Sequence, residues 1–149
     1  MMILIDTSIY IAAIEDYQLE QSLEKLSQTQ FIQSCDTIDE EIHEASEFLR
    51  KTSRKQESEE LKLIYSRIRQ GNIRTTERII GLAQQYHKEA ELSKKQHKNI
   101  DSDFLIVASA SVAGVKNILS FNRKTMASAE MASIYSAVNK RNNYNSKEH

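Results

Sequence analysis

Acidic and hydroxyl side chains directly follow the first apolar segment of the chain. The sequence begins MMILIDTSIYIAA, in which Asp6, Thr7 and Ser8 stand between two apolar runs. The short apolar segment Met2–Ile5 is typical of a buried parallel strand. A buried carboxylate costs free energy unless it is hydrogen-bonded, paired or bound to a cation. Asp6 therefore needs either a structural partner or a ligand.

A second candidate lies on the acidic amphipathic segment TIDEEIHEAS. Its spacing is helical, because one face collects Ile38, Ile42, Ala45 and Leu49, with Phe48 beside them. At 100° per residue, Glu41 falls on this core-facing side, whereas most of the neighbouring acids fall on the polar side. Glu41 is thus the one acid of the segment whose position needs a chemical explanation.

Further polar candidates lie near the C-terminal end of the chain. The segment DSDFLIVASASVA predicts a buried helix that opens with Asp101 and Asp103. Val115–Phe121 predicts a strand, and Asn122 follows it. Ligands of open α/β sheets bind beyond the carboxyl ends of the strands. We therefore expect Asp6 to meet the polar residues of these two segments at one edge of the sheet.

Carboxylates that converge without a basic partner repel one another, and a hard divalent cation removes that repulsion. Mg²⁺ and Mn²⁺ prefer oxygen ligands and keep several waters. Such an ion can bind a phosphate oxygen, activate water and stabilise a leaving oxygen. The residues therefore predict metal-assisted phosphoryl-transfer chemistry on a polyanion.

The net charge of −1 conceals an uneven distribution along the chain. Residues 1–49 carry a balance of −10, and residues 50–98 carry a balance of +7. The basic part is a candidate surface for a nucleic-acid backbone. Its candidate RNA-binding residues are Arg54, Lys55, Arg67, Arg74 and Arg78. The alternative is that these are solvated charges on helix faces.

Length and composition limit the class of protein. A chain of 149 residues can build one domain with a substantial core, which we predict over residues 1–138, followed by a flexible tail at 139–149. No apolar run approaches the roughly 18 residues of a membrane span, and no basic leader precedes the first apolar segment. The single cysteine, Cys35, cannot form an internal disulfide, so we expect a cytoplasmic protein without a membrane partner.

Alternating strand and helix patterns predict an α/β fold with a parallel sheet. The predicted strands are Met2–Ile5, Phe31–Cys35 and Val115–Phe121. Helices are predicted near residues 9–17, 19–26, 38–49, 57–70, 79–90, 101–113 and 128–138. Gly71 and Gly114 are predicted to end the helices that precede them.

Four segments of the chain resemble PIN-domain proteins, and most closely the VapC-type toxin ribonucleases. They are ILIDTSIYIAA, IDEEIHEA, DSDFLIVASASVAG and ILSFNRKTM, which occur in the family's order and span residues 2–126. The resemblance implies a doubly wound α/β/α sandwich with a central parallel sheet of about four to five strands. It also implies a metal-dependent endoribonuclease that cleaves single-stranded RNA and leaves 5′-phosphate and 3′-hydroxyl ends.

The resemblance also implies which residues form the site. Carried over position by position, the acidic cluster is Asp6, Glu41 and Asp103, with Asn122 in the fourth place, where many members carry Asp. These acids would hold Mg²⁺ or Mn²⁺, and Glu41 would hold or polarise the attacking water. Asn122 would position that water or the ion. Because the amide of Asn122 carries no charge, this site gives less support to a second, tightly bound metal ion.

Supporting residues and partners follow from the same resemblance. Ser8 matches the family's small hydroxyl residue near the first Asp, and Thr7 and Asp101 are further candidates for orienting the carboxylates. The implied partners are an RNA substrate and a small antitoxin that covers the site, and the implied assembly is a homodimer.

Several alternatives stay open on the residues alone. Asp6 could simply cap a helix, Asp101 and Asp103 could favour a helix start through its dipole, and Asn122 could be a turn residue. At the level of function, the alternative is a non-catalytic PIN-like module that binds RNA or a protein through a weakened metal site. A phosphatase with an aspartyl nucleophile fits poorly, because Ser8 stands where that chemistry needs a second Asp.

Overall fold

The computed structural model describes residues 1–92, 100–121 and 129–144, with the backbone alone at 91, 92, 100, 101 and 129–131. Its elements, in chain order, are β1 (Met2–Ile5), α1 (Thr7–Ile14), α2 (Tyr17–Thr29), β2 (Phe31–Cys35), α3 (Asp36–Lys51), α4 (Lys55–Ile68), β3 (Gly71–Ile73), α5 (Glu77–Leu92), α6 (Ile100–Ala113), β4 (Asn117–Leu119) and α7 (Ala129–Arg141). Within these ranges no helix is long and apolar enough to cross a membrane.

The strands form one parallel sheet in the order β3-β2-β1-β4. Strand β1 lies inside the sheet, where Ile3 pairs with Ile32 on one side and with Asn117 on the other. This position explains its continuous apolar sequence, because the inner strands of a parallel sheet are covered on both faces. The carboxyl ends of all strands lie at one edge, as the predicted α/β fold requires.

The core lies where the helices cover this sheet. Leu4, Ile5 and Ile32 are completely buried. Helix α4 packs against α1, α2 and α3, and α5 packs against α6 and α7. The parallel sheet flanked by helices confirms the predicted fold class, and its strand number agrees with the predicted four to five among the residues that are described.

The short strand β3 was not predicted, and the prediction for Gly71 was wrong. Helix α4 ends at Ile68, and Gly71 begins β3 instead of ending the helix. A Cβ atom on Gly71 would lie 2.7 Å from Gln33 Oε1 and 2.8 Å from Phe31 Cε1. The glycine therefore lets the ends of two side chains from β2 lie close to the backbone of β3, and a larger residue would have to displace them.

Gly114 ends α6 as predicted. Its φ of 76° lies in the left-handed region, which favours glycine. The backbone N–H of Gly114 donates to Ser111 O, and that of Val115 donates to Ala110 O, so two carbonyl groups of the last helical turn are satisfied. The following strand is shorter than predicted and covers only Asn117–Leu119.

The last helix extends beyond its predicted end at Val138, since α7 runs to Arg141. The reason is a buried contact: Asn139 hydrogen-bonds to Tyr86 and Ser111. Residues 139–141 therefore belong to α7 and not to a tail. Residues 145–149 of the predicted tail lie outside the described residues.

Candidate active site

Asp6 lies at the carboxyl end of β1, beside the end of β4. Its backbone N–H donates to Leu119 O at 2.9 Å, which continues the pairing of the two strands by one residue. Its carboxylate is buried, with 5 % of the residue exposed. Asp6 Oδ2 accepts hydrogen bonds from Ser8 Oγ at 2.9 Å and from Ser120 Oγ at 2.8 Å.

The backbone of Asp6 occupies the N-cap position of α1, but its side chain makes no capping hydrogen bond. Asp16 shows the contrast, because its carboxylate caps α2 by accepting from Leu19 N at 3.1 Å. The interpretation of Asp6 as a side-chain cap is therefore wrong. The carboxylate of Asp6 is held by hydroxyls, away from the backbone N–H groups that a cap would satisfy.

Two serines join the ends of β1 and β4 around this carboxylate. Ser8 Oγ donates to Asp6 and accepts from the backbone N–H of Phe121 at 3.1 Å. Ser120 donates to Asp6 from the other strand. Ser8 thus lies where a supporting residue was predicted. Ser120 was not identified from the sequence, because one serine at a strand end carries no pattern that would separate it from an ordinary turn residue.

Glu41 lies on α3 and is half-buried, which agrees with its predicted position on the core-facing stripe. Its Oε1 accepts a hydrogen bond from Thr7 Oγ1 at 2.8 Å, so Thr7 couples α1 to α3 at the site. The stripe is narrower than predicted, because Phe48 is 64 % exposed. The side chain of Glu41 therefore lies at the boundary between the core and the open edge of the sheet.

Burial raises the pKa of Glu41 from its ordinary value of 4.5 to about 7. The hydrogen bond from Thr7 acts in the opposite direction, and the charges of Asp6 and Asp103 add to the rise. Asp103 is itself buried in the first turn of α6. Burial raises the pKa of Tyr135, and the charge of Asp103 adds to that rise. The charges of two predicted acids, one at the end of β1 and one on α6, thus act on the third predicted acid, Glu41 on α3.

The other predicted site residues are placed less completely. Asn122 lies outside the described residues. Asp101 lies in the first turn of α6, and its side chain is outside the description as well. Both positions therefore stay predictions.

The donors at this site suit a hard divalent cation. Asp6 and Glu41 are carboxylates whose described hydrogen-bond partners are neutral hydroxyls, so these two groups are held by hydroxyls and not by basic side chains. Across residues 1–92, 100–121 and 129–144, no group of three His, Cys, Asp or Glu side chains is arranged to hold a metal ion. Carboxylate oxygens are the donors that Mg²⁺ and Mn²⁺ prefer. The described side chains, however, do not place three such donors around one point.

Two of the five candidate RNA-binding residues are paired with acids of the same chain. Arg54 binds Glu15 at the end of α1 and Glu57 on α4. Arg67 binds Glu20 on α2. These ion pairs join α4 to the first two helices, so part of the basic middle of the chain neutralises the acidic first third.

The remaining three candidates differ from one another. Arg78 donates to Tyr144 Oη at 2.7 Å and lies over the ring of that tyrosine. Lys55 and Arg74 are exposed. Arg74 follows β3 at the same edge of the sheet as Asp6, and its charge acts on Asp36 at the end of β2.

Comparison with known proteins identifies this fold. No protein-family model matches the chain, and no curated protein matches it in sequence. The VapBC2 structure from Rickettsia felis, bound to a DNA fragment from its promoter, is similar with a TM-score of 0.67 and 20% identity, over 83% of this chain and 90% of that one. The VapC20 toxin of Mycobacterium tuberculosis, which cleaves the sarcin-ricin loop, is similar with a TM-score of 0.56 and 14% identity, over 85% and 95% of the two chains. The chain therefore has the PIN-like fold of the VapC structures.

Proposed function

We propose that this protein is a metal-dependent endoribonuclease that cleaves single-stranded RNA, and that it is the toxin of a toxin–antitoxin pair. The observation that supports the proposal is the buried Asp6 at the carboxyl edge of a VapC-like sheet, where two hydroxyls hold its carboxylate. Burial raises the pKa of Glu41, and the charges of Asp6 and of the buried Asp103 add to the rise. Such an arrangement is costly for stability and typical of sites that hold a cation.

Asp6 and Asp103 would hold Mg²⁺ or Mn²⁺, and Glu41 would hold a water beside the ion, with Asn122 positioning that water. When bound, the ion supplies Lewis-acid stabilisation of the phosphate and of the leaving oxygen. Both residues are buried, and the hydroxyls of Ser8 and Ser120 hold the carboxylate of Asp6.

Glu41 is the residue best placed to manage the proton of the attacking water. Its position at the boundary between core and solvent gives water access to the carboxylate, and its pKa near 7 suits a general base at neutral pH. Thr7 donates to one carboxylate oxygen and leaves the other oxygen to accept a proton from water. Glu41 would then pass that proton to solvent after each turnover.

The hydroxyls orient the carboxylates and do not react. Ser8 and Ser120 both donate to Oδ2 of Asp6, so the Oδ1 atom is the one left for a ligand. Because Ser8 lies in the first turn of α1, directly after β1, and Ser120 directly follows β4, any slip between the two strands would turn the carboxylate. The orientation of the Asp6 carboxylate therefore depends on the pairing of β1 with β4.

A non-catalytic PIN-like module that binds RNA or a protein is the second candidate. It is favoured by the absence, within the described ranges, of three side chains arranged to hold a metal ion. Mn²⁺ titration by calorimetry separates the two functions. The ribonuclease predicts Mn²⁺ binding that is lost in Asp6→Asn and kept in Glu40→Gln, an exposed acid on the same helix as Glu41. RNA binding without Mn²⁺ binding would favour the module.

RNA cleavage tests the proposal itself. The full chain is expected to cut single-stranded RNA when Mg²⁺ or Mn²⁺ is present and to stop when EDTA is added. End-group analysis should find 5′-phosphate and 3′-hydroxyl products. Cleavage that continues unchanged in EDTA would contradict a metal-dependent mechanism.

The proposed partner is a small antitoxin, and the proposed assembly is a cytoplasmic homodimer. The support for the antitoxin is the similarity to the Rickettsia felis VapBC2 structure. We expect the product of the adjacent reading frame to co-purify with this chain and to suppress RNA cleavage. Light scattering of the purified chain should give twice the mass of 17.1 kDa. A monomeric mass would contradict the homodimer alone.

A further inference from the structure

The carboxyl edge of the sheet continues beyond the acidic site to strand β3. Because the strand order is β3-β2-β1-β4, the residue after β2 lies between Asp6 and the residue after β3. Asp36 follows β2, and Arg74 follows β3. Adjacent strands are about 4.8 Å apart, so the backbone of Arg74 lies roughly 10 Å from that of Asp6 along this edge.

Asp36 fastens the loop that carries Arg74. Asp36 Oδ1 accepts from Asn72 Nδ2 at 2.8 Å, and Asp36 Oδ2 accepts from the backbone N–H of Thr75 at 2.8 Å. These two bonds lie on either side of Arg74 in sequence, so they fix its backbone at the sheet edge. They also hold the pKa of Asp36 below its ordinary value, and the charge of Arg74 adds to this effect.

The side chain of Arg74, in contrast, extends into solvent. Arg54 and Arg67 are held by glutamates of the same chain, and Arg78 is held by Tyr144. Among the described residues, Arg74 takes part in no ion pair or side-chain hydrogen bond. The backbone of Arg74 is thus held in place while its guanidinium group is exposed. Such a group is suited to binding an anionic ligand.

We propose that Arg74 binds a backbone phosphate of single-stranded RNA next to the phosphate that is cleaved, and that Asp36 positions it. This inference rests on the proposed ribonuclease function. The roughly 10 Å between the two backbones lets a long arginine side chain reach a phosphate near the acidic site without entering it. A bidentate pair between guanidinium and phosphate would set the direction of the RNA strand across the sheet edge.

The test is RNA binding by full-length Asp6→Asn protein, which should not cleave its ligand. Fluorescence anisotropy with a labelled ten-nucleotide single-stranded RNA compares Arg74→Ala with Arg67→Ala, a change of equal charge at an arginine that is already paired. We expect Arg74→Ala to weaken binding about tenfold and to reduce the slope of log K against log salt by about 0.7. Arg67→Ala should change affinity less than twofold.

Equal effects of the two substitutions would overturn the inference, as would a parent protein that does not bind RNA. The Arg74→Lys variant keeps the charge and loses the planar fork, so it should recover only part of the affinity. Full recovery would show that charge alone matters and would overturn the bidentate pair.

A double-mutant cycle tests the role of Asp36. Asp36→Ala should weaken RNA binding about threefold when Arg74 is present and should have no effect in the Arg74→Ala background, since the loop then carries no ligand group. Equal effects of Asp36→Ala in both backgrounds would overturn its positioning role. The proposed function fails separately, if the wild-type chain leaves RNA intact in Mg²⁺ while these binding differences persist.

Discussion

At the residue scale, the proposed role of Glu41 and its surroundings favour different protonation states. Glu41 must be ionised to bind a cation or accept a proton, yet its half-buried position beside Asp6 and Asp103 favours the protonated form. The hydrogen bond from Thr7 compensates only in part. Without a cation, this side chain therefore lowers the stability of the fold at neutral and higher pH.

Glu41→Gln should reveal this cost. The folded pKa of about 7 lies above the ordinary value of 4.5, so the folded state binds more protons than the unfolded state between these pH values. Stability supplied by the protonated form is lost as the pH rises through this window. In urea unfolding with EDTA, we expect Glu41→Gln to be about 1–2 kcal/mol more stable than the wild type at pH 8 and nearly equal to it at pH 4.5.

Glu40→Gln provides the control for this measurement, because Glu40 is an exposed acid on the same helix and should change stability little at either pH. A Glu41→Gln protein that is no more stable than the wild type at pH 8 would contradict the raised pKa.

Ser120→Ala tests the support of Asp6. Removing this hydroxyl takes away one of the two side-chain bonds that hold Oδ2, so the carboxylate can turn. We expect Mn²⁺ affinity, measured by calorimetry, to fall roughly tenfold with the fold intact. Ser27→Ala removes a hydroxyl that bonds only to the backbone of α2 and should leave Mn²⁺ affinity unchanged. Equal affinities of the two variants would contradict the assigned role of Ser120.

At the scale of the elements, Gly71 lets side chains of β2 lie close to strand β3. An added methyl group at Gly71 meets Gln33 and Phe31, whereas one at Gly81, inside α5, meets nothing within 4 Å. We expect Gly81→Ala to stabilise the protein by about 0.5–1 kcal/mol, whereas Gly71→Ala, which must displace these side-chain ends, should not stabilise it. Thermal unfolding of both variants measures the difference. A stabilisation by Gly71→Ala as large as that by Gly81→Ala would contradict the packing described at β3.

The longer elements could be predicted because their sequence patterns are strong. Strand β1 has an unbroken apolar run, and α3 has a regular helical period that also identified Glu41 as unusual among its acidic neighbours. Strand β3 could not be predicted, because it has three residues and starts with a glycine that also suits a helix end. Ser120 was missed for a related reason: its role depends on the register between β1 and β4 and not on any local pattern.

At the scale of the whole molecule, the uneven charge along the chain is used partly for folding. The ion pairs of Arg54 and Arg67 join helix α4 to Glu15 at the end of α1 and to Glu20 on α2. The sequence could show this charge imbalance, but it could not show which arginines form ion pairs within the chain. Arg74 differs because its strand ends at the same edge as the acidic site.

The fold of the whole molecule is similar to that of the VapC structures although few residues are identical. Similarity to the two VapC structures extends over most of the chain at 20% and 14% identity. Three of the resembling segments contain the described residues Asp6, Glu41 and Asp103, which lie at or near the carboxyl edge of the sheet.

Cleavage of single-stranded RNA in Mn²⁺ by three proteins tests the central claim most directly. The wild type and Glu40→Gln should cleave at similar rates, whereas Asp103→Asn, which removes a buried charge from the acidic cluster, should be slower by roughly a hundredfold or more. Unfolding curves should show that all three proteins are folded under the assay conditions. Equal rates for Asp103→Asn and Glu40→Gln would contradict the account, because the acidic cluster would then have no part in the reaction.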